Sequence, residues 1–128
     1  LHDATGEWPE VNQIQLSPAL QRHGPVAFHA EHGILTQGWS PLGGREGLME
    51  QFALQKVARK HGVEEAQVAL RWAIDRGVIV IPKSSRPERQ RSNAELAQLL
   101  LDDEDRALLA TLDLGEAHAW DSTVHEEW

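Results

Sequence analysis

The sequence predicts an α/β fold of about three parallel strands with flanking helices, and three observations carry that prediction. Strand-like and helix-like segments alternate along the chain, the order that successive β/α units produce. Each strand-like segment runs into a proline (Pro18, Pro41 or Pro82), which lacks the N–H that a sheet ladder uses. Glycine closes each of the first helix-like segments, at Gly33, Gly62 and Gly77, where a helix end favours a left-handed residue.

Val11–Leu16 alternates apolar and polar residues and stops at Ser17-Pro18, which reads as the first strand. Gln21–His32 then holds a short helix before Gly33, and Ile34–Trp39 forms the second strand. Leu54, Val57, Ala58 and His61 recur at i, i+3, i+4 and i+7, so Glu50–His61 reads as an amphipathic helix. Glu64–Arg76 is a second helix whose apolar residues Val68, Leu70, Trp72 and Ile74 are spread around it, the pattern of a helix sandwiched in a layered fold. The β-branched run Val78–Ile81 is the third strand. Pro87 suits the first turn of a following helix, where its missing N–H is not needed. Asp102 caps a last helix over Asp103–Leu112, with Leu108, Leu109 and Leu112 facing inward and the acidic run Asp102–Asp105 matching the helix dipole. From Asp113 onward (residues 113–128) the chain reads as an irregular polar tail with Trp120 and Trp128 as isolated aromatics.

Composition limits the classes of function. At 128 residues and 41% hydrophobic content, the chain can build a modest core. A net charge of −8 argues against a general surface for nucleic acid or anionic membrane. The absence of cysteine excludes disulfides and thiolate metal sites and fits a reducing, cytoplasmic setting. No apolar run approaches the roughly 20 residues of a membrane span, and no signal segment is visible. The seven histidines form no metal constellation and read as dispersed surface residues, with His29 and His32 at i, i+3 lacking a third ligand. The segment Leu54–Ala73 has the outline of a helix-turn-helix, but its second helix opens with Glu64 and Glu65, which phosphates would repel.

Against this acidic background one basic island stands out. Lys83, Ser84, Ser85, Arg86 and Arg89 follow the strand Val78–Ile81 and Pro82 and run into a helix-like segment. Cations and hydroxyls at the end of a strand and the start of a helix suit an anion, because the backbone N–H groups and the dipole there already favour one. Arg offers a planar fork and Lys a mobile point charge, which together fit a phosphomonoester on a small ligand. The same pattern also fits a solvated basic turn.

Four motifs in order carry a resemblance: Val11-Asn12-Gln13-Ile14-Gln15-Leu16-Ser17-Pro18, Gly38-Trp39-Ser40-Pro41-Leu42-Gly43, Ala66-Gln67-Val68-Ala69-Leu70-Arg71-Trp72, and Ile81-Pro82-Lys83-Ser84 with Arg89 and Asn93. In this order and spacing the chain resembles the C-terminal part of the aldo-keto reductase family, as far as about Asp113, nearest the bacterial group resembling 2,5-diketo-gluconate reductases. The resemblance implies the last three β/α units of a (β/α)8 TIM barrel, a fold of roughly twice this length or more. It implies an NADPH-dependent carbonyl reductase, with a small carbonyl substrate. Gln13 would bond the nicotinamide carboxamide, and Trp39 would stack on its ring. Ser40, Leu42 and Gly43 would cross the pyrophosphate. Lys83, Ser84, Ser85, Arg86 and Arg89 would surround the adenosine 2′-phosphate, and Asn93 would meet adenine. Ser92 departs from the family, many of whose members have Glu there.

The family's proton donor is a Tyr supported by Lys, Asp and His, all from the N-terminal half. This chain contains no Tyr, so no catalytic residue and no metal ligand is assigned to it. Leu1–Gly6 resembles the end of the helix after the fifth strand. The expectation is therefore a cofactor-binding piece (a natural truncation, a proteolytic product or a deliberate excision) that self-associates or takes up a complementing N-terminal half. The alternative is a noncatalytic reductase-like module that binds NADP(H) or a protein.

Overall fold

A computed structural model describes residues 2–44, 47–80, 91 and 95–119. The element order is α1 (His2–Thr5), β1 (Val11–Gln15), α2 (His23–Glu31), β2 (Leu35–Trp39), α3 (Phe52–His61), α4 (Glu65–Asp75), β3 (Ile79–Val80) and α5 (Asp103–Ala110). Short 3-10 turns lie at Leu48–Glu50, Glu95–Gln98 and Glu116–His118. The strands form one sheet in the order β1-β2-β3, and both pairings are parallel. Gln13 is opposite Gln37, Gln15 opposite Trp39, and Gly38 opposite Val80. The three expected strands are present, the last described only as far as Val80.

The sheet has two unlike faces because successive side chains point to opposite sides. Ile14, Leu16, Thr36, Gly38, Val78 and Val80 face the helices, and Leu16 and Val78 are core residues packed with Leu54, Val57, Val68, Ala69, Trp72 and Leu109. Gly38 is needed there: a Cβ on it would sit 3.2 Å from Val78 Cγ1 and 3.5 Å from Leu16 Cβ. Val11, Gln13, Gln15, Leu35, Gln37, Trp39 and Ile79 share the opposite face. On it Leu35 is 54% exposed and Val11 and Ile79 are each 44% exposed. Parallel sheets are ordinarily covered on both faces, so this face is bare for an element of its type. Among the described residues β1 also has no strand on its outer edge.

Several boundaries differ from the sequence expectation. The helix expected from Glu50 begins at Phe52, because Gln51 is extended (φ −69°, ψ 129°) and separates it from the 3-10 turn Leu48–Glu50. Ala53, Leu54, Val57 and Ala58 then bury one stripe, and Gly62 at φ 66° ends the helix. In α4 the apolar residues are less evenly spread than expected: Val68, Ala69, Leu70, Trp72 and Ala73 are buried, whereas Ile74 is exposed. The last helix stops at Ala110 rather than Leu112. The start of the tail is pinned rather than loose: Leu114 N–H donates to the Ala19 carbonyl at 2.9 Å, and Asp113 Oδ1 accepts from Gln21 N–H at 3.1 Å. Trp120 and Trp128 and the helix expected from Pro87 lie outside the described residues.

Burial corrects the reading of the histidines as surface residues and gives Asp105 a role beyond helix-start charge. His29, only 3% exposed, is held between Asn12 Nδ2 (3.0 Å from Nε2) and Thr36 Oγ1 (2.8 Å from Nδ1), tying α2 to β1 and β2. Burial, with the nearby Arg22 charge, holds its pKa below the ordinary imidazole value, which favours the neutral ring. His32 and His2 are likewise engaged, packed with Trp8 and Phe28 in an aromatic cluster with centroids 4.1 to 5.3 Å apart. Asp105, 2% exposed, accepts from Lys60 Nζ at 2.9 Å and from His61 Nε2 at 2.7 Å. Its backbone and that of Asp102 exchange reciprocal capping bonds with the two carboxylates, at 2.8 and 3.0 Å. The acidic run therefore both starts α5 and locks it to the end of α3.

Candidate functional site: a bare sheet face and its loop

Gln13 and Trp39 come from different strands and lie on the same uncovered face. Gln13 Nε2 donates to Gln37 Oε1 at 2.8 Å across the paired register. Trp39 closes β2 and is half-buried, its carbonyl accepting from Leu16 N–H at 3.1 Å. The aromatic ring and the amides thus stand along one face, the amides at mid-strand and the ring at the C-terminal end of β2.

The loop that leaves Trp39 is conformationally unusual. Ser40 is left-handed at φ 51°, a costly choice for a residue with a side chain. A tight turn follows, closed by Gly43 N–H to the Ser40 carbonyl at 3.0 Å. Gly43 itself has φ 81°, and a Cβ there would lie 2.6 Å from Leu48 Cβ. Leu42 packs against the core and Leu48 is buried beneath the loop. Glycine at Gly43 is thus required twice, by backbone angle and by room. The result is a loop pressed onto the core with exposed backbone at Gly44, suited to close approach by a ligand.

The structure places Gln13 and Trp39 on one sheet face and Ser40, Leu42 and Gly43 in the loop that follows Trp39, with Leu42 turned into the core. Lys83, Ser84, Ser85, Arg86, Arg89 and Asn93 lie outside the described residues, as do Arg45 and Glu46 of the loop. Gln37 was missed by sequence reasoning. Its position two residues before Trp39 was the available signal, since i and i+2 in a strand share a face. A cavity of about 330 Å³, lined by Trp8, Asn12, Phe28 and His29 among others, opens on the other side of β1 and uses none of the residues expected at the site.

This arrangement of strands, loop and motifs has known counterparts. Residues 6–114 match the model of the Aldo/keto reductase family. The chain is 41% identical over 127 residues to 2,5-diketo-D-gluconic acid reductase B of Corynebacterium sp. (strain SHS752001), covering 99% of this chain and 46% of the relative. It is 42% identical over 117 residues to the methylglyoxal reductase DkgA of Yersinia pestis, covering 91% and 42%. Among solved structures, a variant of Gox0644 in complex with NADPH superposes with a TM-score of 0.89 at 36% identity, covering 99% of this chain and 46% of that one. An aldo/keto reductase from Brucella melitensis gives a TM-score of 0.81 at 40% identity, covering 88% and 43%. The chain spans less than half the length of these relatives, and its three parallel strands with flanking helices are the corresponding part of their TIM barrel. This chain belongs to the aldo/keto reductase family.

Proposed function

We propose that the chain is the cofactor-binding part of an NADPH-dependent carbonyl reductase. The observation that carries this reading is the shared bare face: an amide on Gln13 and an aromatic ring on Trp39, with a glycine-bearing loop opening directly after them. β/α barrels keep their sites at the C-terminal ends of the strands, where Trp39 and the loop after it lie. In this reading Gln13 holds the nicotinamide carboxamide and Trp39 covers one ring face. Ser40, Leu42 and Gly43 pass the pyrophosphate. Lys83, Ser84, Ser85, Arg86 and Arg89 hold the 2′-phosphate, and Asn93 meets adenine. Bound NADPH supplies the hydride; this chain's residues bind and orient it. The names of the two curated relatives, with diketo-gluconic acid and methylglyoxal, support a small carbonyl compound as the substrate.

The proton for the carbonyl oxygen must come from elsewhere, since no Tyr is present. The 128-residue chain alone is expected to show no NADPH oxidation with methylglyoxal or a keto-sugar acid, because in this reading acid catalysis and substrate positioning both need the part of the relatives' barrel that this chain does not span. Steady oxidation of NADPH by the purified chain, followed by its absorbance, would refute this. The lack of Tyr also favours a second reading, a noncatalytic module that binds NADP(H) or a protein partner.

Cofactor choice is the direct test. In a barrel completed with the N-terminal portion of the Corynebacterium relative, Arg89→Ala should weaken NADPH by roughly one to two decades, the value of a charge-assisted contact of about 1.5–3 kcal/mol. NADH, which lacks the 2′-phosphate, should be nearly unaffected, and Arg91→Ala should change neither. Equal losses for the two cofactors would make Arg89 a support of the fold and the basic island a solvated turn.

A further inference from the structure

We propose that Gln37 is a positioning residue for the nicotinamide carboxamide, acting through Gln13. The inference rests on the cofactor reading above and adds to it a residue from the neighbouring strand.

A glutamine amide has two N–H donors on Nε2 and one acceptor oxygen. Its terminal torsion is broad and roughly two-fold, so an unrestrained Gln13 would present either end to a ligand. Gln37 couples that freedom to its own amide, so that the two ends turn only together. Its Oε1 accepts from Gln13 Nε2 at 2.8 Å, and the parallel register sets the two residues opposite each other. The nitrogen end of Gln13 is thereby turned towards β2. This leaves Gln13 Oε1 and the second N–H for an incoming group. A carboxamide is the complement of that pair: its N–H donates to Oε1 and its oxygen accepts from Nε2. Trp39, two residues along the same strand from Gln37, stands on the same face for the attached ring. Gln37 thus sets the sense in which the carboxamide is read, without touching it.

Two substitutions separate this role from simple support of the sheet. Glu at position 37 is an acceptor only and keeps Gln13 in the same orientation with a charge-assisted bond. Lys is a donor only: it also bonds Gln13, but through Oε1, and so reverses the amide. A structural rung would be served equally by both. The experiment is NADPH binding, read by fluorescence, in the barrel completed with the N-terminal portion of the Corynebacterium relative, with thermal melts as the folding control. Gln37→Leu and Gln37→Lys should weaken NADPH roughly threefold to tenfold, the worth of one net hydrogen bond, while Gln37→Glu keeps the parent affinity. Equal behaviour of Glu and Lys, or an unchanged Gln37→Leu beside a weakened Gln13→Ala, would overturn the inference. If Gln13→Ala binds NADPH as tightly as the parent, the cofactor reading of Gln13 falls, and the role of Gln37 falls with it.

Discussion

Replacing Asp105 by alanine is expected to destabilise the chain by about 3 kcal/mol, seen as a lower urea midpoint at pH 7 with an unchanged slope. The carboxylate is buried and accepts from Lys60, His61 and the backbone of Asp102. Its loss removes one half of the cap of α5, strips His61 of its carboxylate partner and leaves Lys60, at the end of α3, with Asp102 alone. The partners are more exposed than Asp105, with side-chain exposures of 41% for Lys60 and 20% for His61. They can partly rehydrate, which keeps the cost at the lower end for a broken buried pair. Burial alone would raise the Asp105 pKa, but the bonds from Lys60, His61 and Asp102 outweigh it and hold the carboxyl at about 2. The Asp102 carboxylate, and after it that of Asp105, pushes the Lys60 ammonium above its ordinary value. In the unfolded chain the Asp105 carboxyl titrates near about 3.9. The folded state therefore binds fewer protons between these values, and the stabilisation, complete above about pH 4, is lost as the pH falls towards 2. The urea midpoint of the parent should drop over that window, and Asp105→Asn should show a shallower fall. A variant as stable and as acid-sensitive as the parent would show that the buried carboxylate contributes nothing net.

Gly43→Val should cost a similar amount, about 3 kcal/mol, from two separable sources. A β-branched residue at φ 81° bears roughly 1–2 kcal/mol of backbone strain. The added Cβ then lies 2.6 Å from Leu48 Cβ and 3.1 Å from Leu48 Cδ2. Leu48 is buried and has nowhere to retreat, so overpacking adds roughly 1–3 kcal/mol. Gly44→Val is the internal control. Its φ is 53°, but its Cβ would meet nothing within 4 Å, so only the backbone strain applies. Denaturant curves for the two variants should differ by the Leu48 contact. Equal losses would mean that the loop rises off Leu48 at little cost.

Much of the architecture was legible because it is written in local chemistry. Pro18 and Pro41 stand just beyond the ends of β1 and β2, and Gly62 supplies the left-handed residue that ends α3. The placement of Gln13 and Trp39 on one face follows from alternation and parallel register. What escaped the sequence has physical reasons. Gln51 breaks the start of α3 without Pro or Gly, because the preceding 3-10 turn must drop Leu48 beneath the loop. Asp105 looked like one more acid in a helix-start run, since a residue at the third helical position can satisfy the dipole and point inward at once. His29 gave no periodic signal, because its burial depends on Asn12 and Thr36, distant in sequence. Gln37 looked like an ordinary polar strand residue, since a rung between two amides exists only once the register is known.

The bare face has a consequence for what is able to sit on it. Val11, Leu35 and Ile79 offer apolar area, yet the rung of Gln13 and Gln37 runs across the same surface. A cover made only of hydrocarbon would dry those amides while leaving their remaining donors and acceptors unmatched, at roughly 1–3 kcal/mol for each. Indiscriminate sticking, whether to a misaligned copy or to an aggregate, thereby forfeits part of what burying the apolar residues would gain. A surface that brings its own donors and acceptors opposite the rung forfeits nothing. By this argument a cover on this face should gain most when it brings donors and acceptors opposite the two glutamines.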